Sequence, residues 1–212
     1  EFANDKVRVE MMRQFGYFVT ESTRHNAEYL PYFRRTKEQR EYYGVPDRDP
    51  VSMENTRKRS WMKDSGVEDD GDAEIPPLTS SHEYASLIIE ARLTGKPFAF
   101  NGNVMNHGSI TNLPSRCCVE VPCLADREGV HPTFVGELPS QLAALNMTNI
   151  AVEELAVEAV LKRDKEAAFH ACALDPLTAA TVSLPDIRKM FEELWEAEGD
   201  RLEYFGNASR SC

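Results

Sequence analysis

An α+β fold is the class this sequence predicts, a small antiparallel sheet joined to a helical C-terminal half. Three observations carry that expectation. From Ser140 onward, apolar residues recur at helical spacing. Strand-forming runs are confined to the stretches around Phe98-Ala99-Phe100 and Cys117-Cys118-Val119-Glu120-Val121. Between them lies a polar segment, Asn106-His107-Gly108-Ser109-Ile110-Thr111-Asn112-Leu113-Pro114, which reads as a loop entering a strand, so the two runs pair across it.

Taken in order, residues 3–14 place Val7, Met11 and Met12 at helical spacing, and Gly16 stands where that helix must stop. Residues 17–33 mix aromatic and polar groups and end in Tyr29-Leu30-Pro31-Tyr32-Phe33. Residues 34–64 are strongly charged and helical in part, with a break at Val45-Pro46-Asp47. Residues 67–77 form an acidic, Pro-ended segment, expected to be a mobile loop within one domain spanning 1–212. Ser80-Ser81-His82-Glu83 fits a capping box. Tyr84, Leu87, Ile88 and Ala91 then line one helical face up to Gly95.

On the second strand, Cys117, Val119 and Val121 share one face and Cys118 and Glu120 the other. Helices are expected over 140–162, 165–174 and 186–198. The first presents Leu142, Leu145, Ile150, Leu155 and Val160 as its apolar face. Ser183 caps the last, Pro185 sits in its first turn and Gly199 ends it. No internal repeat is present.

Length and charge exclude several classes. With 212 residues, the chain can bury a sizeable core, and its 42% apolar and 28% charged content is that of a soluble globular protein. A net charge of −11 argues against a nucleic-acid partner, because the one basic cluster, Arg57-Lys58-Arg59, is too short to offset it. No apolar run reaches the ~18 residues a bilayer span needs, so no membrane partner is expected. No signal peptide opens the chain. Glu1-Phe2-Ala3-Asn4 carries no initiator Met, so a cut point inside a longer protein is expected. Five cysteines, three of them within 117–123, fit reduced cytoplasmic thiols better than a disulfide framework. The sequons at Asn146 and Asn207 are read as chance matches.

The chemistry-bearing residues fall in two places. There is no G-x-G-x-x-G, P-loop, H-E-x-x-H or G-x-S-x-G, hence no dinucleotide or phosphate cradle in this sequence. Cys117, Cys118, Cys123 and His107 do not have standard zinc spacing, and pocket-lining or buried thiols are the better reading. In Glu21-Ser22-Thr23-Arg24-His25-Asn26-Ala27-Glu28-Tyr29, a helix would put Glu21, His25, Glu28 and Tyr29 on one face. Two carboxylates, an imidazole and a phenol there can transfer protons. A solvated acidic face, with Tyr29, Tyr32 and Phe33 as core aromatics, reads the same spacing equally well. In the Asn-rich loop, Asn112 is expected to turn its side chain into a site while Ile110 and Leu113 anchor the loop.

Three motifs together carry a resemblance. FGYFVTES is followed by a His and by EY-x-P-[WYF]-F. GN-x4-G-x-I-x-NLP-x3-CVEV and VG-x-LP-x-x-LAAL-x-x-TNI come next, in order over nearly the whole chain. The sequence resembles the C-terminal part of glycoside hydrolase family 4, nearest its α-galactosidase (melibiase) branch for unphosphorylated substrates. The resemblance implies a lactate/malate-dehydrogenase-like C-terminal domain, with the Rossmann domain missing from this chain. It implies NAD and Mn2+ as cofactors, with the metal ligands in that missing N-terminal part and none here.

Family members oxidise C3 of the sugar, remove the C2 proton, eliminate the aglycone and then add water. The resemblance makes Tyr29 the candidate base, with Glu21 and His25 as alternatives. It makes Asn106, Gly108, Asn112 and Arg24 candidate substrate contacts. It further implies a small glycoside substrate, the Rossmann part as partner, and a homodimer or homotetramer. α-Glucosidase and α-galacturonidase or α-glucuronidase of the same family are close alternatives. A lactate/malate-type dehydrogenase domain would share the architecture but not the NLP and VG-x-LP motifs, and a non-catalytic assembly module would use the helical half for contacts.

Overall fold

The computed structural model describes residues 4–46 and 83–206. The acidic segment 67–77, the Arg57-Lys58-Arg59 cluster, the Asn207 sequon and Ser80 of the capping box lie outside the described residues. The class is α+β, with a three-stranded antiparallel sheet and a helical C-terminal half.

The elements follow the chain in order. α1 (Lys6–Phe15) ends at Gly16, whose φ of 84° is a left-handed cap that a side chain would strain. α2 (Thr23–Glu28) and α3 (Lys37–Tyr43) follow. Next come α4 (Ala85–Thr94), β1 (Phe98–Met105), β2 (Cys118–Ala125) and β3 (Val130–Pro132). The C-terminal half holds α5 (Ser140–Lys162), α6 (Lys165–Leu174), α7 (Pro176–Thr181) and α8 (Leu184–Glu198), then a 3-10 turn and α9 (Glu203–Gly206). The short α7 was absent from the sequence expectation; Asp175 caps it by accepting from Thr178 N, with Pro176 at its start.

The chain divides into two compact units. The larger takes in the described residues of Glu1–Val45, Ala99–Leu124 and Val130–Cys212; the smaller takes in those of Pro46–Phe98 and Ala125–Gly129. In the smaller unit, Arg92 donates to the Asp126 and Arg127 carbonyls, and Arg127 returns a bond to the Thr94 carbonyl. The face expected to be apolar is largely exposed: Tyr84 and Leu87 face solvent and Ala91 alone is buried on α4.

Three apolar clusters organise the larger unit. The inner face of β2, Val119, Val121 and Cys123, meets Ile110, Leu113 and α5's Ala143 and Ile150. That alternation along β2 is the one the sequence predicts. Val7 and Met11 of α1 gather Ala27, Leu30, Phe33 and Val45, with Leu145 of α5 against them. Phe169, Ile187 and Phe191 join α6 to α8. On α5 the buried positions are Ala143, Ile150 and Ala159, so Val160, expected on the apolar face, points outward. Small residues let α6 approach that helix closely.

Candidate active site

The polar loop between β1 and β2 is a closed structural knot. Asn106 is 0% exposed. Its Nδ2 donates to the carbonyls of Ile110, Leu113 and Pro114 at 2.9, 3.1 and 3.0 Å, and its Oδ1 accepts from Ile110 N at 2.7 Å. A buried amide needs such partners, and here every one is backbone. His107 (φ 42°) and Gly108 (φ 91°) make the left-handed turn that brings Ser109 N back to the Asn106 carbonyl.

Asn112 makes a two-bond clamp instead of facing a ligand. It donates to the Leu138 carbonyl at 2.8 Å and accepts from Leu138 N at 3.0 Å. Ile110 bridges Gly136 in parallel, and Ser109 accepts from Val135 and Gly136. Two motifs that the sequence keeps apart, GN-x4-G-x-I-x-NLP and VG-x-LP, are thus stitched into one structure. Asn106 and Asn112 were expected as substrate contacts; their amides are consumed by the backbone they organise, and Gly108 serves the turn.

The second polar stretch does open onto a cleft. Met11 of α1, residues 17–21, the end of α2, Glu120 of β2 and one side of α5 enclose about 550 Å3. Glu21 and Tyr29 line it together. They do not share a helix face, as the spacing suggested, because α2 begins after Glu21 and Tyr29 is its C-cap. The helix is short because Ser22 is extended and Pro31 soon follows. Tyr29 is 48% exposed, and its carbonyl accepts from Asn149 Nδ2 at 3.4 Å. Glu21 Oε1 accepts from Ser22 N at 2.6 Å. His25 and Arg24 are exposed on α2 and lie outside the cleft lining; His25 Nδ1 instead sits 3.6 Å from Glu28 Oε2. Tyr32 and Phe33 form an edge-to-face pair, and only Phe33 is buried.

The cleft also takes in Asn26, Glu120, Asn146, Asn149 and Glu153, which were not among the site residues expected from the sequence. A signal existed for most of them. Asn146, Asn149 and Glu153 stand three and four residues apart, a polar stripe along an otherwise apolar helix. Glu120 projects from β2 opposite the buried valines. Tyr17 and Phe18 add exposed aromatic surface. Carboxylates, amides and aromatic faces together suit a polyhydroxylated ring. Hydroxyls pair with the polar groups, and ring C–H surface lies against the aromatics.

A second hollow of about 490 Å3 runs between the sheet end and α5, lined by Met105, Cys117, Val157 and Leu161. Arg116 spans it to Glu154 at 2.9 Å. Burial, with Glu154 nearby, pushes the Cys117 thiol up, which makes it inert at neutral pH. Its walls are mainly apolar, with Glu153, Glu154, Glu158 and Lys162 at the margin.

This α+β architecture matches the C-terminal domain of the family 4 glycosyl hydrolases. The chain belongs to that family: the model of the family 4 glycosyl hydrolase C-terminal domain matches residues 1–178. It is 46% identical over 203 residues to the α-galactosidase of Bacillus subtilis, covering 94% of this chain and 46% of that protein. It is 28% identical to the α-galactosidase of Rhizobium meliloti, covering 96% of this chain and 43% of that protein. The α-galacturonidase of Thermoanaerobacterium saccharolyticum is also 28% identical, with 91% and 41% covered.

Among solved structures, lplD from Bacillus subtilis aligns with a TM-score of 0.71 at 28% identity, covering 89% of this chain and 42% of that one. A 6-phospho-α-glucosidase from gut microorganisms, solved with NAD and Mn2+, gives 0.69 at 20% identity, with 91% and 42% covered. The chain thus spans somewhat less than half the length of the curated relatives it matches.

The residues present do not by themselves fit either of those groups. Among the described residues no cluster of three or more His, Cys, Asp or Glu is arranged to hold a metal ion. No glycine-rich phosphate cradle occurs in the sequence.

Proposed function

We propose that this chain is the substrate-side half of an α-galactosidase acting on an uncharged glycoside. An N-terminal Rossmann part binding NAD and Mn2+ would complete it. The observation that carries the reading is the make-up of the cleft. Glu21, Glu120 and Glu153 line it, and no Lys, Arg or His stands among the described lining residues. Carboxylates accept hydrogen bonds from neutral hydroxyls, whereas a uronate or sugar phosphate brought among them meets like charge without a pairing cation. The identity to the Bacillus subtilis α-galactosidase supports the same choice. Tyr29 is the proposed proton-transfer residue, because it faces the cleft and keeps its ring half in solvent; Glu21 is its alternative.

A cytoplasmic setting is supported by the free thiols of Cys117, Cys118, Cys123 and Cys172. A homodimer or homotetramer is supported by exposed Val157 and Leu161 at the end of α5.

The test is turnover by the full-length enzyme with NAD+ and Mn2+ on matched nitrophenyl glycosides. α-Galactoside is expected to be cleaved at least tenfold faster, in kcat/KM, than α-galacturonide or a 6-phosphogalactoside. Preference for either anionic substrate would overturn the reading.

A further inference from the structure

One buried polar atom of a cleft-lining residue lacks the partner that its burial demands. Asn26 sits in α2 and is 8% exposed, yet it lines the cleft. Its backbone N donates to the Ser22 carbonyl, so the main chain is satisfied. The side-chain Oδ1 is the one buried side-chain nitrogen or oxygen among the described residues with no hydrogen-bond partner. Native proteins rarely leave such an atom unpaired, because it has lost water and gained nothing. Asn106 shows how fully this fold satisfies a buried amide when structure alone is at stake.

We infer that Asn26 is a substrate-positioning residue whose side-chain oxygen accepts a hydrogen bond from a ring hydroxyl of an uncharged sugar. This rests on the functional reading above and names a residue that fixes the sugar's orientation. The chemistry admits few other partners. Oδ1 is an acceptor only, so its partner must carry a donor, and none of the donors bordering the cleft (Tyr17, Thr20, Tyr29, Asn146 and Asn149) bonds to it. A hydroxyl donates to Asn26 while its own oxygen stays open to a neighbouring amide such as Asn149. An anionic oxygen in the same place has no proton to give.

Pairing a buried acceptor that already exists also gives sharper discrimination than adding apolar contact. An analogue lacking the hydroxyl leaves Oδ1 as unsatisfied as before binding. The ordering of the site therefore costs the free protein stability that the sugar restores.

The experiment is a cycle of variants and deoxy sugars on the full-length enzyme, read by calorimetric binding of methyl α-galactoside and its monodeoxy analogues. One deoxy analogue is expected to bind the wild type about tenfold more weakly than the parent. Asn26→Leu should weaken the parent by a similar factor and leave that analogue unchanged, so the two losses do not add. The same variant should melt at or above the wild-type temperature, since it removes an unpaired polar atom. Asn26→Asp, which keeps an oxygen acceptor, should retain parent binding better than Asn26→Leu.

Equal weakening of the parent and all analogues, or no weakening, overturns the role of Asn26. A lowered melting temperature for Asn26→Leu together with uniform loss of binding assigns the residue to structure and overturns it likewise. If the wild type cleaves α-galactoside but shows no coupling, the inference about Asn26 alone fails. If no uncharged glycoside is bound or cleaved, the functional reading fails and takes this inference with it.

Discussion

Two kinds of asparagine divide the labour in this domain. Asn106 and Asn112 spend their amides on buried backbone, whereas Asn149 donates to the Tyr29 carbonyl at the cleft and Asn26 lines the cleft with its side-chain oxygen unpaired. Asn106→Ala would orphan the buried Ile110 N–H and the Leu113 carbonyl, while the Ile110 and Pro114 carbonyls keep backbone donors, and we expect a loss of about 2–4 kcal/mol by chemical denaturation. Tyr29→Phe keeps the ring and removes the hydroxyl, so activity of the full-length enzyme should fall by at least two orders of magnitude with the melting temperature almost unchanged. His25→Gln should leave kcat within about threefold, since the imidazole lies outside the cleft and is exposed on α2. Activity surviving in Tyr29→Phe and lost in Glu21→Gln would move the proton-transfer role to the carboxylate.

At this scale the sequence singled out both polar segments, but it did not show which amides bond to backbone and which residues line the cleft. An Asn-rich loop looks the same on paper whether its amides face a sugar or its own carbonyls. Only the three-dimensional path of residues 106–114 decides.

At the scale of elements, periodicity was legible wherever one face is buried. β2 alternates as its sequence does, and Ser183, Pro185 and Gly199 bound the last long helix where capping chemistry places them. It failed for α2, where side-chain spacing suggested a helix long enough to carry Glu21 and Tyr29 together. The observed element has six residues and leaves both at its margins. The cleft residues of α5 were hidden because a strongly apolar 23-residue helix draws attention to its buried side.

The clamp between Asn112 and Leu138 joins two elements distant in sequence. Asn112→Ala should release residues 134–138, lower stability by about 1–2 kcal/mol and raise amide exchange there. Unchanged exchange would leave the β-bridge at Ile110 and Gly136 as the sufficient link.

At the scale of the whole molecule, the chain spans somewhat less than half the length of the curated relatives it matches, and its family match is to a C-terminal domain. We expect the isolated chain to release no nitrophenol from an α-galactoside even with NAD+, Mn2+ and reductant present; turnover that follows it through purification would refute this. Its helical half carries a pH-sensitive ion pair. Arg188 of α8 holds the Glu166 carboxyl below its usual range through bonds of 2.9 and 2.7 Å, and stacks 3.3 Å over the Phe169 ring. A carboxyl lowered in the folded state stabilises above the ordinary carboxylate range and loses that contribution as pH falls through its lowered value. The melting temperatures of wild type and Glu166→Gln should therefore differ slightly at neutral pH and converge in acid. Exposure of the pair keeps the difference small.

α5 meets three constituencies at once. Ala143 and Ile150 key into the sheet, Leu145 keys into the α1–α2 cluster, and Asn146, Asn149 and Glu153 face the cleft. Adding a single residue inside it would turn everything downstream by about 100°. That rotation would withdraw Asn149 from Tyr29 and Ile150 from the sheet in one stroke. Insertions and deletions between homologues should consequently be purged from 143–153 and tolerated at the turn around Arg163, so the helix acts as a length standard against which the rest of the domain is gauged.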